Sequence, residues 1–147
     1  MRLQSLPIGA PALAGRWKIE LGAVAWAQRD EILAANVAPA PLPEDYGWAL
    51  LPITFVNLSD EAATPGQFEV ILHAGGWDVS HREVGRFLTR MPAEFHPTEL
   101  EPNASITGNL GFWLPDAATA DPKCRIELHT MTGGYGSDPQ VFWFTCS

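Results

Sequence analysis

The chain has 147 residues, of which 46% are hydrophobic and 18% charged, proportions typical of one globular domain and not of a disordered chain or a coiled coil. Seventeen acidic residues against nine basic ones give a formal net charge of −8, which argues against nucleic acid or an anionic membrane surface as the main partner. No apolar run approaches the ~20 residues that a membrane span needs, so we expect no direct membrane insertion.

The first fifteen residues lack the pattern of an export signal, because Pro7, Gly9 and Pro11 interrupt any apolar stretch. The expectation is that the chain starts after a removed signal or never carried one. We assign residues 1–15 to an N-terminal extension, an ordered tail or a non-native remnant, and residues 16–147 to a single domain. An ordered tail is usually tied down by a sheet or by a neighbouring chain.

The first predicted elements are a strand and a helical turn. Residues 16–25 alternate between apolar and polar side chains, which indicates a half-buried strand. Its predicted inward residues are Trp17, Ile19, Leu21 and Ala23. Residues 30–35 begin with acidic side chains, which the helix dipole favours, and predict one short helical turn that ends at Asn36 and a proline-rich stretch.

Two further segments predict strands, one of them central in its sheet. Residues 46–57 are apolar on both faces, which is typical of a central strand in a two-sheet core. Pro52 cannot donate to a strand ladder, so we expect a bulge or one unpaired side there. Residues 104–114 predict another strand with a bulge at Gly108, ended by Pro115. Its predicted inward residues are Ile106, Leu110, Phe112 and Leu114.

A hairpin is predicted at residues 68–82, with its turn at Gly75-Gly76, a dipeptide suited to a primed turn. The register places Ala74 opposite Trp77 on the inner face and His73 opposite Asp78 on the outer face. The other predicted pairs are Val70 with His81, Leu72 with Val79, and Glu69 with Arg82. Residues 83–99 show no clear pattern.

The two cysteines fall in a second predicted hairpin, formed by residues 124–130 and 140–146. One register puts all the apolar pairs on one face, among them Ile126 with Phe144, and sets Cys124 opposite Cys146. Directly opposed positions satisfy the short Cβ separation of a disulfide, so we predict this bridge and, with it, an oxidising compartment. Two free buried thiols, as in a cytosolic protein, are the alternative.

Together these elements predict an all-β fold, a single antiparallel β-sandwich of about 6–8 strands with one short helical turn near 30–35. Several segments also resemble a known family. They are Pro7-Ile8-Gly9, then 15–19 (GRWKI), 35–36 before the proline-rich stretch and Tyr46, 52–58 (PITFVNL), and 100–115 (LEPNASITGNLGFWLP).

In this order the segments resemble the immunoglobulin-like domain of unknown function found in many Gram-positive secreted lipoproteins. The resemblance implies an exported, non-catalytic immunoglobulin-like β-sandwich with no established active site. The sequence differs in lacking the lipid-attachment cysteine and in Asn103, where the family usually has glycine. Asparagine also tolerates a left-handed turn.

Catalytic and metal-binding patterns are absent from the sequence. The histidines His73, His81, His96 and His129 lack the spacing of metal ligands, so we predict no metal and no cofactor. No serine elbow motif occurs, and we do not expect an enzyme. The acidic pairs Asp60-Glu61 and Glu99/Glu101 are expected in loops, with a weak calcium site as the alternative. Asn57 and Asn103 begin glycosylation sequons.

Six tryptophans are many for this length. Alternation predicts that Trp17 and Trp77 point inward, whereas Trp113 and Trp143 lie opposite their apolar neighbours and Trp48 fits either face. Either both faces are covered, by the other sheet or by residues 83–99, or Trp48, Trp113 and Trp143 form an exposed aromatic interaction surface.

The predicted function is that of a non-catalytic immunoglobulin-like interaction module, secreted or on the cell surface, whose partner is another protein or a second copy of the chain. One alternative is a self-assembling structural component of a filament, a surface layer or a virion. A second alternative is a carbohydrate-binding module that stacks sugars on exposed tryptophans.

Overall fold

Two antiparallel β-sheets pack face to face in the computed structural model of the chain, which confirms the predicted antiparallel β-sandwich. The structure describes residues 5–26, 32, 34–35, 46–85, 91–118, 123–130 and 140–146. The first sheet contains β1 (Ala12–Ala14), β2 (Trp17–Leu21), β3 (Ala25–Trp26), β4 (Tyr46–Asn57) and β7 (Ser105–Pro115). The second contains β5 (Phe68–Ala74), β6 (Trp77–Ser80), β8 (Arg125–Thr130) and β9 (Gln140–Thr145).

Helical structure is short in the described residues. A single turn, α1, spans Arg82–Gly85, and a 3-10 turn spans Asp116–Ala118. Of the predicted helical turn at 30–35, Ile32, Ala34 and Ala35 are helical, and the other residues lie outside the described part. No described helix has the length and apolar character to cross a membrane.

β4 is the central strand of the first sheet, as its apolar faces predict. It pairs with β2 and β3 on one side and with β7 on the other. Leu51 and Phe55 point into the core between the sheets, while Trp48 and Leu50 on the opposite face pack with Ile32 in a second buried cluster. Both faces of the first half of β4 are therefore out of water, which explains why this half lacks polar alternation, whereas Pro52, Thr54 and Val56 on the outer face are half-buried.

A β-bulge separates β2 from β3 opposite Pro52. β2 ends at Leu21 opposite Ile53 and β3 begins at Ala25 opposite Leu50, so three residues of one strand face two residues of β4. The Gly22 N–H donates to the Pro52 carbonyl at 2.8 Å, and the missing N–H of the proline falls where the ladder is interrupted. The bulge also corrects one prediction: Ala23 is exposed rather than inward, because the extra residue ends the alternation.

The predicted bulge at Gly108 is wrong. β7 pairs with β4 without interruption from Pro115 to Ser105. A Cβ atom at Gly108 would lie 2.4 Å from the Cα of Phe95, so glycine is needed there because another backbone segment lies against the strand. That segment follows the free edge of β7: the Phe95 N–H donates to the Asn109 carbonyl at 3.0 Å, and the Asn109 N–H donates to the Ala93 carbonyl at 2.8 Å.

The β5–β6 hairpin has the predicted register, with His73 opposite Asp78, and both glycines of its turn have positive φ, as a primed turn requires. Trp77, however, is 49% exposed rather than inward. The fully buried Ala118 of the 3-10 turn lies against Gly75 and already fills this end of the core, so the large ring cannot enter it.

The β8–β9 hairpin also has the predicted register, with Ile126 opposite Phe144. Cys124 and Cys146 are joined by a disulfide, with their Cα atoms 5.5 Å apart. The bridge closes the open end of the last hairpin.

The N-terminal segment belongs to both sheets. Leu6 extends the second sheet beside β9, where its N–H donates to the Trp143 carbonyl at 2.7 Å and its carbonyl accepts from the Thr145 N–H at 2.8 Å. A few residues later β1 pairs with β2 in the first sheet. Leu6 and Ala12–Ala14 of the predicted N-terminal extension therefore pair with strands of the sandwich.

Reduction of the disulfide is expected to lower the free energy of unfolding by about 3 kcal/mol, because the bridge spans 22 residues and restricts the unfolded chain. Urea unfolding with and without reductant measures the difference. In a Cys124→Ala/Cys146→Ala variant the reductant should have no effect. An unchanged midpoint for the reduced native chain would contradict the prediction.

Candidate functional site

Trp48 and Trp113 face each other across β4 and β7 on the outer face of the first sheet. Their rings stack with centroids 6.3 Å apart, and Tyr46 packs on Trp113 at 5.3 Å. Trp48 is only 3% exposed, because Ile32 and Met91 cover it. Trp48 is therefore buried and is not part of an interaction surface.

Trp143 lies on the other sheet. Its ring stacks on His73 at 5.1 Å, and the Arg125 guanidinium lies 5.9 Å from the ring centre. Because Trp143 belongs to β9 and the other two tryptophans to β4 and β7, the three do not form one aromatic surface. The predicted surface of Trp48, Trp113 and Trp143 is therefore wrong as a single site.

A chain of histidines and carboxylates crosses the second sheet beside Trp143. His73 contacts Asp78 through Nδ1 at 2.5 Å and Glu127 through Nε2 at 2.9 Å, and Glu127 also contacts His129. Burial raises the pKa of Glu127, but hydrogen bonds from the two histidines outweigh it, so the net shift of this pKa is downward. The network links β6, β5 and β8. Within the described ranges, no three His, Cys, Asp or Glu residues are arranged to hold a metal ion.

The predicted loop sites are structural or exposed. Asn57 is fully buried, and its side-chain amide donates to the carbonyls of Glu61 and Leu100 at 2.8 and 2.9 Å, which ties two loops to the end of β4. Its amide is thus occupied in the fold and not accessible as a glycosylation acceptor. Asn103 is exposed with φ of 65°, the left-handed turn that the sequence predicts. The acidic pairs Asp60-Glu61 and Glu99/Glu101 are exposed.

A cavity with an apolar wall lies where the free edge of β7 meets β5 and α1, and we call it the inter-sheet pocket. Its volume is about 370 Å³, within the range of small-molecule sites. Phe68, Met91, Phe95 and Leu110 form its apolar wall, and His81 and Arg82 contribute polar groups. Phe68 and Phe95 meet edge to face with ring centroids 5.6 Å apart.

His81 lines the inter-sheet pocket, and its contacts define both its hydrogen bonding and its protonation state. Its ring lies parallel to Phe68 at 5.1 Å, and its Nδ1 accepts the Val70 N–H at 3.0 Å. Burial lowers the pKa of His81 from 6.5 to about 4. Because Nδ1 uses its lone pair on a backbone donor, the neutral ring carries its proton on Nε2.

A second concavity of about 340 Å³ lies beside β6, and we call it the aromatic groove. Tyr46, Trp77 and Trp113 line it together with the carboxylates of Asp78 and Glu83. Of the predicted aromatic surface residues, only Trp113 takes part. Alternation placed Trp77 in the core, so the sequence pattern could not identify this groove.

The sequence pattern missed the inter-sheet pocket as well. The pairing of His81 with Val70 follows from the hairpin register, and the His81 N–H does donate to the Val70 carbonyl at 3.0 Å. The other wall comes from residues 91–97, which have neither helical nor strand periodicity. Gly108 and Gly111 were the available signal, since a Cβ at either would collide with Phe95 or Met91.

The same sandwich occurs in solved bacterial structures. The yjhA protein from Bacillus subtilis superposes with a TM-score of 0.63 at 16% identity, over 95% of this chain and 98% of that one. An uncharacterized β-sandwich protein from Clostridium difficile gives a TM-score of 0.52 at 10% identity, over 97% and 96% of the two chains. A candidate lipoprotein from Bacillus subtilis gives 0.56 at 12% identity over 92% of this chain, which spans 38% of the lipoprotein chain.

No family model and no curated protein matches the sequence. At such low identities the structural likeness shows the fold, which agrees with the expectation drawn from the sequence.

The burial of His81 makes stability depend on pH in a defined range. Its pKa lies below the ordinary value, so its contribution to stability is complete well above pH 6.5 and is lost as the pH falls from 6.5 to about 4, the range in which the unfolded chain is protonated at this residue and the native chain mostly is not. The loss is expected to be about 3 kcal/mol. Urea unfolding at pH 7.5, 5.5 and 4.5 measures it.

The His81→Asn variant keeps an acceptor for the Val70 N–H but cannot titrate, so its free energy of unfolding should change less over this range. His96→Asn, which removes an exposed histidine, serves as the matched control and should behave as the native chain does. Equal pH dependence of His81→Asn and the native chain would refute the assignment.

Proposed function

We propose that the chain is a non-catalytic extracytoplasmic binding module that engages another protein. The observation that carries the location is the Cys124–Cys146 disulfide, because structural disulfides form and persist in oxidising compartments. The fold adds support, since one solved structure that shares it is that of a candidate lipoprotein.

The aromatic groove supports a binding role. Trp77 is half exposed at its rim, and tryptophan and tyrosine are the residues that most often anchor protein partners. Asp78 and Glu83 line the same groove, and the chain as a whole carries a net charge of −8. A partner with a basic patch around an apolar side chain would complement both features.

The side-chain contacts favour binding over catalysis. Among the described residues, no histidine hydrogen-bonds to a serine or a cysteine, which is the pairing that activates a nucleophile. The histidines contact carboxylates or a backbone N–H, and the two cysteines are joined to each other.

The proposed location is tested on protein isolated from its native source. The expected result is a chain found outside the cytoplasm whose intact mass, measured without reductant, is lighter by two hydrogen atoms than after reduction. Alkylation of the cells before lysis excludes oxidation during purification. A cytosolic chain with two free thiols would overturn the proposed location.

Carbohydrate binding is a second candidate function, and the aromatic groove favours it because exposed aromatic faces stack on sugar rings while carboxylates accept hydrogen bonds from hydroxyls. The Trp77→Ala variant is then expected to lower glycan affinity at least about tenfold. Its free energy of unfolding should change by no more than about 0.5 kcal/mol, because half of the side chain is already in water.

A glycan array followed by calorimetry on any bound glycan makes the measurement. Leu13→Ala is the matched control, since Leu13 is also exposed but lies on β1, away from the groove. Failure of the native chain to bind any glycan, or equal binding by Trp77→Ala, would remove this candidate.

A further inference from the structure

The inter-sheet pocket has a wall that is built in place. Residues 91–95 are held along the β7 edge by backbone hydrogen bonds on both sides of Asn109. Ala93 has φ of 46°, a left-handed conformation that costs free energy for a residue with a Cβ and persists only where its surroundings impose it. Gly108 lets this segment approach the strand closely. The wall is thus positioned before any ligand arrives.

The apolar part of the inter-sheet pocket suits a compact hydrocarbon group. Phe68 and Phe95 present aromatic rings, and Met91 and Leu110 contribute aliphatic surface. These side chains come from β5, from the 91–95 segment and from β7, so the pocket exists only in the folded sandwich. An aromatic ring or a branched aliphatic chain fits such a lining.

The polar groups of the inter-sheet pocket that can form further hydrogen bonds are hydrogen-bond donors. Arg82 uses one N–H, from Nη2 to the Phe68 carbonyl at 3.0 Å, and within the described residues its guanidinium makes no other hydrogen bond. The Nε2 proton of His81 likewise has no acceptor in the described part of the chain. A carboxylate accepts from both groups and matches the fork of the guanidinium.

The acidic side chain at the inter-sheet pocket is already engaged. One oxygen of Glu94 accepts the Met91 N–H at 3.3 Å, and the other lies 3.4 Å from Nε2 of His96. The Glu94 carboxylate therefore interacts with groups of its own loop, whereas the Arg82 guanidinium is available to attract a negatively charged ligand.

From these contacts we propose that the inter-sheet pocket binds a small organic carboxylate, with its hydrocarbon part against Phe68 and Phe95 and its carboxylate on Arg82 and His81. This site is separate from the aromatic groove and goes beyond the proposed protein partner, so it stands or falls independently of the location and of the groove.

Three probes that differ only in their head group test the proposal: 3-phenylpropionate, 3-phenylpropanol and 3-phenylpropylamine. Titration of the isotope-labelled native chain, followed by amide shifts in NMR spectra, gives the affinity and the location of binding. We expect the carboxylate to shift the amides of Phe95, Leu110 and Gly111, and to bind at least about tenfold more tightly than the alcohol. The amine should bind most weakly.

Arg82→Gln is expected to reduce carboxylate affinity to that of the alcohol while leaving alcohol binding unchanged. Arg125→Gln removes an exposed arginine from β8 and serves as the matched control, with no effect expected on either probe. Because Arg82 is exposed, the variant should keep the native spectrum elsewhere.

Equal affinity for all three head groups would overturn the proposal, since the pocket would then be an apolar slot without a recognition group. No shift at Phe95, Leu110 or Gly111 with any probe would also overturn it. Neither result bears on the disulfide or on export, which the mass measurement tests separately.

Discussion

The burial of the first half of β4 on both faces is the constraint on which the rest of the structure depends. One face meets the second sheet through Leu51, Ile53 and Phe55, and the other is covered by the cluster around Trp48. A strand with two apolar faces is stable only when two separate layers cover it. The second sheet supplies one layer, and Ile32 and Met91 belong to the other.

The segments that lie along the edges of the two sheets also explain the position of the inter-sheet pocket. The free edge of β7 is occupied by residues 91–95, and the free edge of β9 by Leu6, so both are protected from pairing with another chain. The segment at β7 leaves a space between itself and β5, which is the inter-sheet pocket. The segment 91–95, which covers the edge of β7, therefore also forms a wall of the inter-sheet pocket.

The aromatic groove and the inter-sheet pocket differ in the charged side chains that line them. The carboxylates of Asp78 and Glu127 meet histidines on the outer face of the second sheet, where cross-strand hydrogen bonds hold β6, β5 and β8 together. The aromatic groove shares Asp78 and is acidic, while the inter-sheet pocket presents Arg82. The ligands proposed for the two concavities therefore differ in charge, with a basic protein surface at the aromatic groove and an organic anion at the inter-sheet pocket.

Most of the strands, both hairpin registers and the pairing of Cys124 with Cys146 could be predicted from the sequence, because alternation and turn chemistry act between residues close along the chain. The sequence also predicted that Pro52 faces an interruption, since a missing N–H is a local property. The exposure of Trp77, the burial of Trp48 and the inter-sheet pocket could not be predicted, because they arise from packing between distant segments. Each depends on which distant segment packs against a strand, as Ala118 does at Gly75 and Phe95 at Gly108, and no periodicity within the strand encodes that neighbour.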